Sequence, residues 1–291
     1  MGELLALGCA VVWGIAVILF KRSGETVPPL ALNLFRTLLS TPLLIATTAI
    51  SGTPLVRAAS SRDYLLLIAS GVLGIALSDT LFHRSLNRIG AGITAIIDTF
   101  YPLITIIFAF ALLGERMEWK DVVGMALIMA AVFVSATLAP PPGCTRRRLV
   151  QGILIGLAGL SLLALGIVIA KPVLDQAPVL WVASVRQTAA VLALLAGTTL
   201  AGNRREVLRS LRPSASWRWM VPGTIAGSYL SLLMWIGSMK YAKVGVSAIL
   251  TQSSTLFILL FAVLFLGERL TPRKIASAVL AISGVLVVTI A

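Results

Sequence analysis

Charge is what this sequence has least of. Asp, Glu, Lys and Arg make up 12% of its 291 residues, against about 25% in an ordinary soluble domain. Too few charges remain to coat a water-facing surface, which argues against a water-soluble enzyme. Histidine occurs once, at His83, and cysteine twice, at Cys9 and Cys144. Cys9 lies in an apolar run and Cys144 in a connection, so neither reads as a disulfide partner, a metal ligand or a nucleophile. H-E-x-x-H and G-x-S-x-G are missing, and a single histidine leaves no paired His/Cys chemistry. No catalytic residue, metal or cofactor is therefore expected. A basic n-region and an A-x-A-like site are also missing near Met1, so the first apolar run is expected to stay as a span. No stretch is polar enough for a domain outside the membrane.

Apolar length is what the sequence has in abundance. Hydrophobic residues make up 58% of it, and the mean hydropathy is +0.99. A membrane helix needs about 20 mostly apolar residues, so the chain has room for about ten short-looped spans. Charged and Pro/Gly-rich breaks mark them at 3–21, 29–50, 63–86, 90–114, 119–139, 149–170, 178–201, 217–239, 244–267 and 272–290. The runs are too long for strands, lack period-2 alternation and are rich in Leu, Ala and Gly. They read as helices and not as a barrel. Pro28-Pro29 and Pro178 open spans two and seven, and Pro140-Pro141-Pro142-Gly143 closes span five. Proline at a helix start loses nothing, because its missing N–H would lack a partner there anyway.

An internal repeat organises these spans. Residues 91–116 (AGITAIIDTFYPLITIIFAFALLGER) align without a gap to 244–269 (VGVSAILTQSSTLFILLFAVLFLGER), at an offset of 153. The same offset pairs Gly74 with Gly227, Ser78 with Ser231 and Ser85 with Ser238. Nearer the N-terminus the offset is 150 and pairs Lys21 with Lys171, Pro28 with Pro178 and Arg36 with Arg186. The expected units are residues 1–140 and 141–291, five spans each. Five is odd, so the second unit enters from the opposite side and the repeats are inverted. The expected fold is an all-α membrane protein of ten transmembrane helices, an architecture typical of secondary transporters.

The sparse charge is lopsided, with 24 Lys and Arg against 11 Asp and Glu and a net of +13. Odd-numbered connections hold 15 of the basic residues, even-numbered ones 7, and Arg36 and Arg186 lie inside spans. The positive-inside rule then places the odd connections in the cytoplasm of an inner (plasma) membrane and both termini outside. The excess reads as a topology signal and not as a nucleic-acid footprint. Arg146–Arg148 and the 203–218 connection suit anionic lipid headgroups.

Two five-span repeats, with Leu-Gly-Glu-Arg at Leu113–Arg116 and again at Leu266–Arg269, resemble the EamA branch of the drug/metabolite transporter superfamily. Each Gly-Glu-Arg precedes an apolar span with a glycine, Gly124 or Gly284. Trp13-Gly14, the arginine of span two and the small-residue spans three and eight also fit. The resemblance covers essentially the whole chain. It implies ATP-independent export or exchange of small metabolites, often amino acids, by alternating access. The layout is also similar to YddG-type aromatic amino-acid exporters. A monomer suffices for such a mechanism. One departure is that many members carry basic termini, whereas the extreme ends of this chain are uncharged.

Charges inside spans are expensive and mark a site or a structural lock. Arg36 and Arg186 hold equivalent positions in both repeats, which favours scaffold work. Asp79 and Asp98 pair with Leu232 and Thr251, so they break the symmetry. A carboxylate shielded from water takes up protons more readily, and the pair are candidates for proton coupling or for a substrate amine. Ion pairing with a neighbouring arginine is the alternative. His83, four residues from Asp79, shares its helix face. Thr94, Asp98, Tyr101 and Thr105 form a stripe on span four whose mates on span nine include Ser247, Thr251 and Ser254, flanked by Gln252. Both stripes are expected to wall a cavity, with helix–helix hydrogen bonding as the alternative. Trp13, Tyr101, Tyr229 and Trp235 can meet a ring or a cation there. Pro102 is expected to kink span four. Glu115 and Glu268 are expected to anchor span ends by pairing with Arg116 and Arg269.

These residues point to a secondary transporter of small metabolites, amino acids or related compounds above all, with efflux favoured. A proton-coupled exporter of lipophilic cations is the alternative that Asp79 and Asp98 keep open. The expected partners are a small-molecule substrate, the bilayer and coupling protons, and not nucleic acid.

Overall fold

The structure, a computed structural model, describes residues 1–24, 26–98, 100–135, 144–200, 204–254, 257, 261 and 272–290. Among these residues all regular structure is helical: α1 (Gly2–Gly24), α2 (Pro29–Ile50), α3 (Ser61–Gly71), α4 (Ser78–Asp98), α5 (Tyr101–Leu113), α6 (Trp119–Ser135), α7 (Arg146–Gln176), α8 (Val179–Leu200), α9 (Arg204–Ser210), α10 (Trp217–Thr224), α11 (Leu232–Tyr241), α12 (Val244–Thr251) and α13 (Pro272–Ile290). π-Helical turns at Val72–Leu77 and Ile225–Ser231 join α3 to α4 and α10 to α11. Among the described residues six helices are long and apolar enough to cross a membrane: Gly2–Gly24, Leu30–Ile50, Ser61–Phe82, Arg146–Gln176, Val179–Thr199 and Trp217–Tyr241. Tyr101–Leu113 and Val279–Val288 are shorter apolar helices.

Local chemistry sets the helix starts. Pro28 is extended (φ −59°, ψ 146°) and Pro29 opens α2. Thr145 accepts the Arg148 N–H at 3.3 Å and caps α7. Ser60 and Asp63 form a reciprocal capping box at α3, which satisfies two otherwise free N–H groups.

Helical hydrogen bonding runs through α4, yet the chain turns back within it. Ser85 Oγ and the Ile97 side chain lie 2.8 and 3.2 Å from the point where a Cβ on Gly156 would stand. Twelve residues of straight helix would set them about 18 Å apart. The reversal therefore falls between Ile89, which meets Gly152 of α7, and Ile97. Connections gather at two ends of α7, whose 31 residues span about 46 Å. At one end Trp181 Nε1 donates to Leu55 O (3.2 Å), Lys240 Nζ to Ala177 O (2.5 Å) and Lys243 Nζ to Arg116 O (3.2 Å). At the other, Cys144 Sγ approaches Arg88 O (3.8 Å), while Thr26 meets Ser216 (2.7 Å) across neighbouring connections.

The polarity pattern suits a lipid solvent. Leu4, Ile107, Phe110, Leu154, Leu192, Val279 and Ile282 are exposed, while Asn33, Arg36, Thr37, Ser40, Ser184, Arg186 and Gln187 are buried. Outside a membrane helix the solvent is as apolar as a core, so polar groups find partners only inside. Hydroxyls on α2 mostly bond back to their own helix, as Thr37 to Asn33 O (3.0 Å) and Thr41 to Thr37 O (2.7 Å). Small residues bring backbones together: Ser70 Oγ donates to Gly166 O, and Gly124 of α6 faces Gly284 of α13 so closely that a Cβ on either would stand 2.8 Å from the other's carbonyl.

Candidate functional site

The segment expected to form span four is broken where proline dictates. Pro102 lies in the first turn of α5, and α4 ends at Asp98. A proline there cannot donate to the carbonyl four residues back and clashes with it. Phe100 N–H closes a tight turn onto Ile97 O at 3.0 Å. Near the start of span nine the chain does the same at repeat-related positions: α12 ends at Thr251 and Ser253 N–H bonds Leu250 O at 3.1 Å. The π-helical turns also start at repeat mates, Val72 and Ile225. Irregular backbone inside a membrane is tolerated only where protein or a cavity surrounds it.

Residues of the expected polar stripe flank these breaks. Tyr101, Thr251, Gln252 and Ser254 are buried, at 7 to 9% exposure, and Asp98 is half-buried. Thr251 Oγ1 bonds back to Ser247 O (2.9 Å), and Ser247 in turn bonds Ser238 of α11. The buried hydroxyls of Tyr101 and Thr105 lie against each other and make no well-aligned hydrogen bond with a described residue. The side chains of His83 and Thr94 lie outside the described set, as does Glu268.

The two arginines sit in different surroundings. Arg36 Nε donates to Ser228 Oγ at 2.8 Å. Its guanidinium carbon lies 4.4 Å from the ring centre of Phe20 and 5.8 Å from that of Trp13. Asp79 is half-buried within electrostatic reach of Arg36, without a direct ion pair. Arg186, fully buried, has Trp235 over its guanidinium at 5.6 Å and, among the described residues, no hydrogen-bond acceptor for Nε, Nη1 or Nη2. Tyr101 lies beside it, with Thr105, Trp235 and Cys9 as neighbours. Each arginine crosses the repeat boundary, Arg36 to the turn at 225–231 and Arg186 to Gly74 in the turn at 72–77. Asp98 makes no ion pair with a described residue. Tyr229 OH bonds Thr47 Oγ1 of α2 at 2.5 Å.

The first Leu-Gly-Glu-Arg motif does something other than expected. Gly114 adopts a left-handed conformation (φ 69°) that ends α5, which glycine reaches without a Cβ penalty. Glu115 then accepts the N–H groups of Val244 (3.1 Å) and Gly245 (3.4 Å). Its partner is the positive end of α12, and not Arg116. Sequence spacing could not reveal this, because Glu115 and Val244 lie in different repeats. Ser228 and Thr47 were missed for the same reason: each is an ordinary hydroxyl until folding sets it against Arg36 or Tyr229.

Buried polar groups between long apolar helices, with broken helices beside them, describe a polytopic membrane protein. Sequence comparison narrows the class. The profile of the EamA-like transporter family matches residues 1–137 and again 150–290. The chain belongs to the EamA-like transporter family. It is 26% identical over 290 residues to a protein of Bacillus subtilis (strain 168) named uncharacterized transporter YvbV, covering 98% of this chain and 90% of that one. A protein of Archaeoglobus fulgidus, also named an uncharacterized transporter, is 21% identical over 285 residues, covering 97% and 96%. A solved crystal structure shares the fold with a TM-score of 0.79 at 18% identity, covering 99% of this chain and 96% of the other.

Proposed function

We propose that this protein is a secondary active transporter that exports small metabolites, amino acids or related compounds first among them, across the inner membrane. In this reading its ten spans form two inverted five-helix units, 1–140 and 141–291, that rock against each other in alternating access. One observation carries the proposal: spans four and nine break at repeat-related places, 98–101 and 251–254, beside buried polar groups that both units contribute. Broken helices near the centre of inverted repeats are where secondary transporters hold substrate. Trp13, Asp79, His83, Thr94, Asp98, Tyr101, Tyr229, Trp235, Thr251, Gln252 and Ser254 are the proposed lining. Asp98 carries proton coupling, and Arg36 is a scaffold residue that ties α2 to the opposite unit.

Uptake of radiolabelled amino acids into inside-out vesicles tests this directly. Saturable uptake, accelerated by an imposed proton gradient and blunted in Asp98→Asn, is expected. Uptake of cationic dyes in place of amino acids would favour the second reading, a proton-coupled exporter of lipophilic cations, for which the half-buried Asp79 and Asp98 are the supporting observation.

A further inference from the structure

We infer that Arg186 anchors a carboxylate of the transported molecule, an assignment that rests on the transporter reading above and names the chemistry of its substrate. The contrast with Arg36 carries it. Arg36 and Arg186 are repeat mates, so a purely structural role would give both of them partners. Arg36 has them: Ser228 at 2.8 Å, the faces of Phe20 and Trp13, and the nearby Asp79 charge. Arg186 has a ring face at 5.6 Å and, among the described residues, nothing that accepts from its five N–H groups. A buried guanidinium without an acceptor is among the most expensive arrangements a fold can hold.

Its surroundings are built for an incoming anion. The buried hydroxyls of Tyr101 and Thr105 lie against each other and against Trp235 in the same cluster, without a well-aligned hydrogen bond to a described residue. On the side of the 72–77 turn, Gly74 presents bare backbone to the guanidinium. A Cβ on Gly71 would overlap the Arg186 carbonyl, and one on Gly74 would stand 3.4 Å from Nη2. No side chain from those two positions fills the acceptor role. A guanidinium offers two parallel N–H donors in a plane, the geometry of a carboxylate, and the two hydroxyls can donate to its remaining lone pairs. The same charge repels a lipophilic cation. Asp98 precedes Tyr101 by three residues across the helix break and makes no ion pair with a described residue. It offers an amine of the same molecule a counter-charge. The ring of Trp235 covers the guanidinium, so loading requires that ring to swing aside as the two units rock.

The test uses the full-length protein, purified and reconstituted into liposomes, with the twenty L-amino acids and their carboxamides as probes. Wild type is expected to transport acids with at least roughly ten-fold higher apparent affinity than the matching amides, the range for a hydrogen bond to a charged group. Arg186→Gln abolishes that preference and Arg186→Lys retains part of it. Tyr101→Phe with Thr105→Val weakens acids and leaves amides alone. Equal handling of acid and amide by wild type overturns the assignment, as does a folded Arg186→Gln that keeps the acid preference. Either result leaves amino-acid transport, and so the underlying reading, intact. Transport of tetraphenylphosphonium with none of the amino acids sinks both. Should Arg186→Gln fail to fold, the wild-type acid–amide comparison and the hydroxyl variants decide.

Discussion

Replacing Gly166 by alanine should destabilise this protein, although alanine is the better helix former. A Cβ at Gly166 would lie 3.0 Å from Gly74 Cα and N and 3.1 Å from Ser70 O. Carbon pairs rest at about 3.5–4.0 Å, so α7 must retreat by about 0.5 Å or more along the 70–74 contact. All three clashing atoms are backbone and none can rotate away. Overpacking of this kind costs about 1–3 kcal/mol. The same retreat stretches the Ser70–Gly166 hydrogen bond, worth about 0.5–1.5 kcal/mol. Helix propensity returns at most about 1 kcal/mol, leaving a net loss of roughly 1–3 kcal/mol. Gly197, on α8, is the matched control, because nothing lies within 4 Å of its Cβ position. There the propensity gain stands alone, and Gly197→Ala should be neutral or stabilising by up to about 1 kcal/mol. Thermal melting of the detergent-purified variants reads the difference. At roughly 2 °C per kcal/mol for a chain of this size, Gly166→Ala should melt several degrees below Gly197→Ala. If Gly166→Ala melts at or above Gly197→Ala, the close approach of α7 to the 70–74 segment is wrong.

Ser228→Ala removes the acceptor of the Arg36 Nε bond and should cost about 1.5–3 kcal/mol, seen as a lower melting temperature; an unchanged melt would free Arg36 from its scaffold role. Glu115→Gln weakens the cap on α12 by about 0.3–1 kcal/mol, while Arg116→Gln should leave that cap alone; the reverse ranking would restore the Glu115–Arg116 pair. An impermeant maleimide should label the partly exposed Cys144 in inside-out vesicles and spare the buried Cys9; labelling of Cys144 only in right-side-out cells would invert the proposed orientation. The Lys243 ammonium, at 3.2 Å, and then Lys120 hold the exposed Glu118 carboxyl below its usual range. A lowered folded value means that the contact stabilises above the unfolded value, about 4.3, and fades as pH falls through the folded one. Melting curves of wild type and Glu118→Gln should therefore differ slightly near neutrality and coincide in acid; a gap that widens in acid would refute the pairing.

Much of this fold was legible along the chain because membrane helices are written in one dimension. Apolar length and proline punctuation placed the start of α2 at Pro29, where the structure has it. The repeat located Arg36 and Arg186 as mates, and Pro102 marked the break in span four. Partners were illegible. Nothing near Arg36 in sequence points to Ser228, 192 residues away, and nothing near Glu115 points to the N–H of Val244. The two arginines read alike because their local sequences place them alike.

Composition and periodicity by themselves determined that this chain lives in a membrane, that its regular structure is helical and that its halves are related copies. Those properties follow from transfer free energy and the backbone's need for internal hydrogen bonds, both of which act segment by segment. Only tertiary structure decided which polar groups are satisfied. Burial of a guanidinium costs little when a hydroxyl from the opposite half meets it and a great deal when none does, and that difference exists only once two halves are packed together. The separation of Arg36 from Arg186, one bonded and one without an acceptor among the described residues, was settled at that level.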